Sequence, residues 1–175
     1  SEASFGMAAL NSYYATPSVA DENGFALADA PWPHIFDPFR NAVAGKKVAV
    51  IGHFPFAPKA LNQAADFYML ERSLNDGDYP DSAAEYILPE CDYVFITGSA
   101  FVNKTAPRLL ELSRESFNVV LGPSTPLAPV LLEDYGVSQV TGMVPTSPLA
   151  MFEGLSGTDA GTTMFDWGHR VELSA

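Results

Sequence analysis

The chain has 175 residues, 47% hydrophobic and 17% charged, with 21 Asp and Glu against 9 Lys and Arg for a formal charge of −12. That length supports one domain with a proper core, and the composition excludes a disordered chain. The acidic balance repels phosphate backbones and anionic lipid, so neither nucleic acid nor a membrane is an expected partner, while solubility and attraction of cations are.

No apolar run approaches the ~20 residues of a membrane span, and no basic start with apolar core and cleavage site opens the chain. It begins Ser1-Glu2-Ala3 with no initiator Met, as expected of a processed chain or a piece of a longer one. The single cysteine, Cys91, excludes an internal disulfide and a cysteine-rich zinc site, and makes the reducing cytoplasm the expected compartment. Lying just before a predicted strand between Glu90 and Asp92, it reads as a small structural residue without the cations that would activate a thiol.

From Ser4 to Tyr14, the apolar residues Phe5, Met7, Ala8, Leu10 and Tyr14 predict a short helix with a buried stripe. Residues Thr16 to Pro33 are rich in Pro, Gly, Asp and Asn and read as an irregular connection. Asp37-Pro38, an N-cap acid followed by proline at the first helical position, opens a helix through Ala44, which Gly45 ends.

Lys47 to Ile51 is a β-branched run closed by Gly52, the form of a buried parallel strand. Asp66 to Leu70, closed by Glu71, Asp92 to Ile96, closed by Thr97-Gly98-Ser99, and Phe117 to Leu121, closed by Gly122-Pro123-Ser124, repeat that form. Val137 to Thr141, ending at Gly142, is a weaker fifth strand. Between them, Pro58–Ala65, Asp81–Leu88, Lys104–Arg114 and Ala128–Tyr135 read as helices, and Thr162 to Leu173 adds an edge strand. Strand and helix alternate, which predicts an α/β fold: a three-layer Rossmann-like domain with a mainly parallel sheet and a short helical N-terminal extension.

In such a sheet, ligands bind where the carboxyl ends of the strands feed loops into one crevice. Gly52-His53-Phe54 sits where a dinucleotide fold has its glycine-rich turn, but G-x-G-x-x-G is missing and the bulky side chains exclude ordinary NAD binding. His53 reads as a metal ligand, an acid/base group or a loop histidine satisfied by hydrogen bonds, the last having the largest share. Glu71 ends the second strand where nucleotide-binding folds place a ribose-binding acid, a position that also suits a helix cap. The loops containing Thr97, Gly98, Ser99 and Asn103, and Gly122, Ser124 and Thr125, offer hydroxyls and backbone N–H groups for a phosphate or carboxylate, or simply N-caps. No nucleophile elbow, paired-histidine zinc motif or P-loop is present.

These loops carry a resemblance. Gly45 to Pro55, Leu88 to Ser99, Asn103-Lys104-Thr105 and Leu121 to Leu127, four ordered motifs, resemble the putative heavy-metal chelation family. The resemblance implies a Rossmann-like domain over residues 45–175, preceded by a domain like the N-terminal part of enolase. Residues 1–44 are then its remnant, a final helix at Phe5 to Ser12 plus an irregular connection. It also implies a role in the metabolism of metals or of cofactors that carry them.

The expected function is therefore to bind an anionic or metal-chelating small molecule at the strand ends, with a divalent metal ion or metal-containing cofactor in view. Gly52, His53, Phe54, Glu71, Thr97, Gly98, Ser99, Asn103, Gly122, Ser124 and Thr125 are the candidate ligand-binding residues, with His53 and Glu71 candidates for the cation. An enzyme using a nucleotide or S-adenosylmethionine-like ligand is the second reading. A ligand-free structural role, with a homodimer as the assembly to test and the Phe54 to Phe56 and Phe36 to Phe39 aromatics as anchors or core, is the third.

Overall fold

A computed structural model describes residues 2–157 and 164–175. The β-branched runs predicted above form the middle of one eight-stranded sheet. Its strands are β1 (Ala26–Leu27), β2 (Lys47–Ile51), β3 (Asp66–Glu71), β4 (Tyr79–Pro80), β5 (Tyr93–Thr97), β6 (Phe117–Leu121), β7 (Gln139–Pro145) and β8 (Gly168–Ser174), in the spatial order β1-β8-β7-β6-β5-β2-β3-β4. From β4 to β7 all neighbours are parallel, whereas β8 runs antiparallel to both β7 and β1.

The central strands are apolar throughout because both faces are covered, and alternate residues feed different cores. Ala49, Ile51, Val94, Ile96 and Val120 join one cluster with Leu88, Leu109 and Leu131. Val48, Val50, Phe95, Val119 and Leu121 join the other with Trp32, Ile35, Phe36 and Phe39. Phe95 has no exposed surface and meets Phe36 and Phe39 edge-on, at ring-centroid distances of 5.2 and 5.0 Å. The aromatics of residues 36–39 are therefore core side chains.

The helices are α1 (Glu2–Tyr14), α2 (Pro17–Glu22), α3 (Ala57–Ala60), α4 (Ala84–Ile87), α5 (Ser99–Val102), α6 (Ala106–Leu112), α7 (Val130–Glu133) and α8 (Pro148–Leu155). Several are shorter than their apolar periods predict, for local reasons. Lys104 has φ +68°, outside the right-handed helical region, so α6 cannot begin there. Gly136, at φ +65°, lets the Val137 N–H return to the Leu131 carbonyl at 3.0 Å and closes α7 before Tyr135.

Other expectations are corrected. The stripe on α1 is not buried: Met7 alone is, while Phe5 is 79% exposed. The stretch from Thr16 to Pro33 holds α2 and β1, and a 3-10 turn begins at Trp32. Asp37 caps no helix; its carboxylate takes His34 Nδ1 at 2.7 Å and the Arg40 guanidinium at 3.1 Å, and only a 3-10 turn over Asp37–Phe39 forms. Gly142 does not end β7 but lies within it, where a Cβ would fall 2.6 Å from the Leu127 side chain. The C-terminal strand is not an edge, since β1 pairs beyond it; the Thr162-Thr163 start of that expectation lies outside the described residues.

After β2 the chain builds β3 and β4 on one side, then returns past β2 to lay down β5, β6 and β7 on the other. Connections leaving β2 and β5 in opposite directions open a crevice at their carboxyl ends.

Candidate functional site

The crevice holds a cavity of about 540 Å³ lined from the ends of β2, β3 and β5 and from α4 and α6. Seven of the sequence candidates line it: Gly52, His53, Phe54, Glu71, Thr97, Ser99 and Asn103. Apolar floor comes from Ile51, Leu70, Leu109 and Leu112, and polar walls from Arg72, Asp81, Glu85, Lys104 and Arg108.

Glu71 closes β3 and ties the first two loops together. Its Oε2 accepts the His53 backbone N–H at 2.9 Å, and its Oε1 accepts that of Arg72 at 2.7 Å. Gly52, at φ +104°, supplies the turn that brings His53 back over β3.

The His53 ring faces a second carboxylate, with Nδ1 3.1 Å from Asp78 Oδ2. The Asp78 side chain has no exposed surface, and it also accepts the Asn75 backbone N–H at 3.0 Å and side-chain amide at 3.2 Å. Burial pushes this carboxyl up, but the hydrogen bonds from Asn75 and His53 outweigh burial and hold it below the usual carboxylate range. An ionised Asp78 can only accept, so the neutral imidazole keeps its proton on Nδ1. Nε2 is left as a lone pair with no hydrogen-bond partner among the described residues. Asp78 was missed in the sequence; the signal was the Asn75-Asp76-Gly77-Asp78 turn, with Gly77 at φ +90°.

The cations on the walls differ in their neutralisation. Arg108 binds Glu85 and Glu111, with Nε 2.8 Å from Glu85 Oε1, and Arg72 Nε lies 3.6 Å from Asp81. Lys104 has no carboxylate partner among the described residues, and it is the one non-glycine residue there with positive φ. Its left-handed backbone closes α5: the Thr105 N–H returns to the Ala100 carbonyl at 2.9 Å and the Lys104 N–H to that of Phe101 at 3.3 Å. Asn103 fixes this loop, its Oδ1 accepting both the Thr105 N–H (3.1 Å) and hydroxyl (2.6 Å).

Gly98, Gly122, Ser124 and Thr125 stand outside the lining. A Cβ on Gly98 would sit 2.6 Å from the Thr125 nitrogen, so the loops after β5 and β6 touch through backbone. Gly122 has φ +125°, and the Ser124 carbonyl accepts Asn11 Nδ2 of α1 at 3.0 Å. Thr125 is 1% exposed, and its hydroxyl has no hydrogen-bond partner among the described residues.

Among the described residues, no group of three or more His, Cys, Asp or Glu side chains is arranged to hold a metal ion. Cys91 is buried just before β5, at the opposite end of the sheet, and burial pushes its thiol up to about 11. No helix among the described residues is long and apolar enough to cross a membrane.

Comparison with known proteins bears on the same region. The family described as "Putative heavy-metal chelation" (DUF364) matches residues 34–171. A crystal structure of a protein of unknown function from that family, from Desulfitobacterium hafniense, is 43% identical and superposes with a TM-score of 0.87 over 99% of this chain and 68% of that one. A second, from Pyrococcus horikoshii, shares the fold at 21% identity and a TM-score of 0.78, covering 97% of this chain and 67% of the other. An uncharacterized protein of Methanocaldococcus jannaschii is 30% identical over 101 residues, which are 54% of this chain but only 39% of the relative.

Proposed function

Because the chain belongs to the putative heavy-metal chelation family, we propose that it binds an anionic, metal-chelating small molecule in the cavity at the ends of β2, β3 and β5. One observation carries this reading: an oriented imidazole, His53, and an unpaired cation, Lys104, line the same cavity at the switch point of the sheet. In a chain of net charge −12, a lysine with no carboxylate partner among the described residues is suited to an anion. His53 Nε2 meets the cation of the chelate or a ligand hydroxyl. Glu71, with each oxygen already accepting one N–H, offers its remaining lone pairs to the same group. The Ser99 hydroxyl completes the contacts to the anion.

Isothermal titration with citrate, nickel–citrate and nickel ion tests the reading. The complex binds most tightly, citrate more weakly and the bare ion least. Lys104→Ala weakens both citrate forms, and His53→Ala removes the advantage of the complex. No heat with any of the three from folded protein sinks the proposal.

A nucleoside-type ligand is the second reading, favoured by Glu71 lining the cavity at the end of β3. Stabilisation by adenosine or S-adenosylmethionine that is lost in Glu71→Ala supports it; a gain that survives the substitution removes it. The organisation belongs to the same proposal: residues 1–44 are the tail of a preceding domain and 45–175 the Rossmann-like unit. Exposed Phe5, Leu10 and Tyr13 on α1 support the first part, although residues 26–43 already give the larger unit β1, Trp32, Phe36 and Phe39. We place this role in the cytoplasm, supported by the single buried thiol.

A further inference from the structure

The cavity of about 540 Å³ is divided in character. Its polar lining stands on the loops that follow the strands: His53 after β2, Glu71 at the end of β3, Ser99 after β5 and Lys104 beyond α5. Its apolar lining comes from Ile51 and Leu70 of the sheet, Ala84 of α4, and Leu109 and Leu112 of α6. Ile51, Leu70, Ala84 and Leu109 belong to one core cluster, so the cavity is a notch cut into that core between α4 and α6. Arg108 and Glu85, with Nε 2.8 Å from Oε1, tie the two helices at its wall.

A well-packed core holds few voids larger than a water molecule, so a space of this size is not slack in the packing. Water against apolar walls is less favourable there than an apolar group. Cavities of several hundred Å³ with an apolar lining and a few placed polar groups take molecules of drug size, larger than citrate. A wholly polar chelator satisfies the loops and leaves the notch to water.

We propose that the ligand is an amphipathic chelator, with an anionic metal-binding head at His53, Glu71 and Lys104 and an apolar body of at least ring size in the notch between α4 and α6. The inference rests on the reading that this cavity takes a chelator, and it adds the chemical class.

N-Benzyliminodiacetate and N-methyliminodiacetate share one tridentate head, which leaves coordination positions of a bound zinc ion open for His53 Nε2, and they differ in the apolar body. Their zinc complexes are diamagnetic. Each is titrated into the full chain by calorimetry and followed by NMR of the Ile and Leu methyl groups. The benzyl complex is expected to bind roughly tenfold or more tightly than the methyl complex, the worth of burying about two of its extra carbons. Its ring current is expected to shift the Ile51, Leu109 and Leu112 methyl resonances. Equal affinities, or a benzyl preference with those methyl groups unmoved, overturns the proposal while leaving a chelator site at the strand ends. No binding of either complex removes the chelator reading and this inference with it. Every arm is read on the unmodified protein, so none depends on the folding of a variant.

Discussion

His53 Nδ1 and Asp78 Oδ2 lie 3.1 Å apart, and the carboxylate is sealed from solvent while the imidazole is 35% exposed. The covered partner orients the open one, as the hydrogen-bonded carboxylates behind ligating histidines do. Asp78→Asn keeps the shape but removes the charge that holds the proton on Nδ1. The expected outcome is a mixed tautomer population in nitrogen-15 spectra of His53 and nickel–citrate affinity lower by about tenfold or more. An unchanged tautomer with unchanged affinity would show that Asp78 has no part in orienting the ring.

The same carboxylate predicts an acid response. Its pKa is depressed in the folded chain, so its ionised form contributes stability that is present above the unfolded value and lost as pH falls through the folded one. The loss therefore begins beneath the ordinary aspartate value of about 4 and deepens with further acidification. The protection factor of the Asn75 amide, which donates to Asp78 at 3.0 Å, is expected to fall over that window relative to the intrinsic exchange rate at each pH. Asp78→Asn is expected to flatten the change. Protection of Asn75 that is equally pH-dependent in the variant would assign the effect to another group.

Gly98 is where the site's third and fourth loops touch. A methyl group there would stand 2.6 Å from the Thr125 nitrogen and 2.8 Å from its Cα, and backbone cannot swing aside as a side chain can. Overpacking of this kind costs about 1–3 kcal/mol, so Gly98→Ala is expected to lower Tm by roughly 2–12 °C. An unchanged Tm would mean that the loop after β6 is free to move away. That result would make the 540 Å³ cavity adaptable rather than preformed.

The parallel strands were legible because their signal is local: Lys47–Ile51, Asp66–Glu71 and Phe117–Leu121 are apolar runs that end in polar residues, and strand ends place loops. His53, Glu71 and Ser99 follow from that rule, which is why they line one cavity. Asp78 was hidden because its meaning lies in a pairing 25 residues away in the chain, made through a turn that reads as a plain connection. Lys104 was hidden for a different reason. A lysine in a helical period gives no hint of a φ of +68°, the left-handed conformation it takes in closing α5, with the Thr105 N–H on the Ala100 carbonyl. The end of α7 was legible only to within a turn: Gly136 does mark the stop, but the Val137 N–H folds back to the Leu131 carbonyl, so the helix proper ends at Glu133.

Thr125 separates a wall from a ligand contact. Its hydroxyl is buried without a hydrogen-bond partner among the described residues, so Thr125→Val keeps the shape and removes a desolvated polar atom worth about 1–3 kcal/mol of penalty. Tm is expected to hold or rise by a few degrees, and citrate affinity is expected to stay within about twofold, because Thr125 does not line the cavity. A fall in Tm would reveal an ordered water satisfying the hydroxyl, as buried waters do for otherwise unpaired groups. A fall in affinity at constant Tm would carry more weight. It would mean that Gly98 yields to admit the ligand, and that the loop after β6 joins those after β2, β3 and β5 in holding the anion.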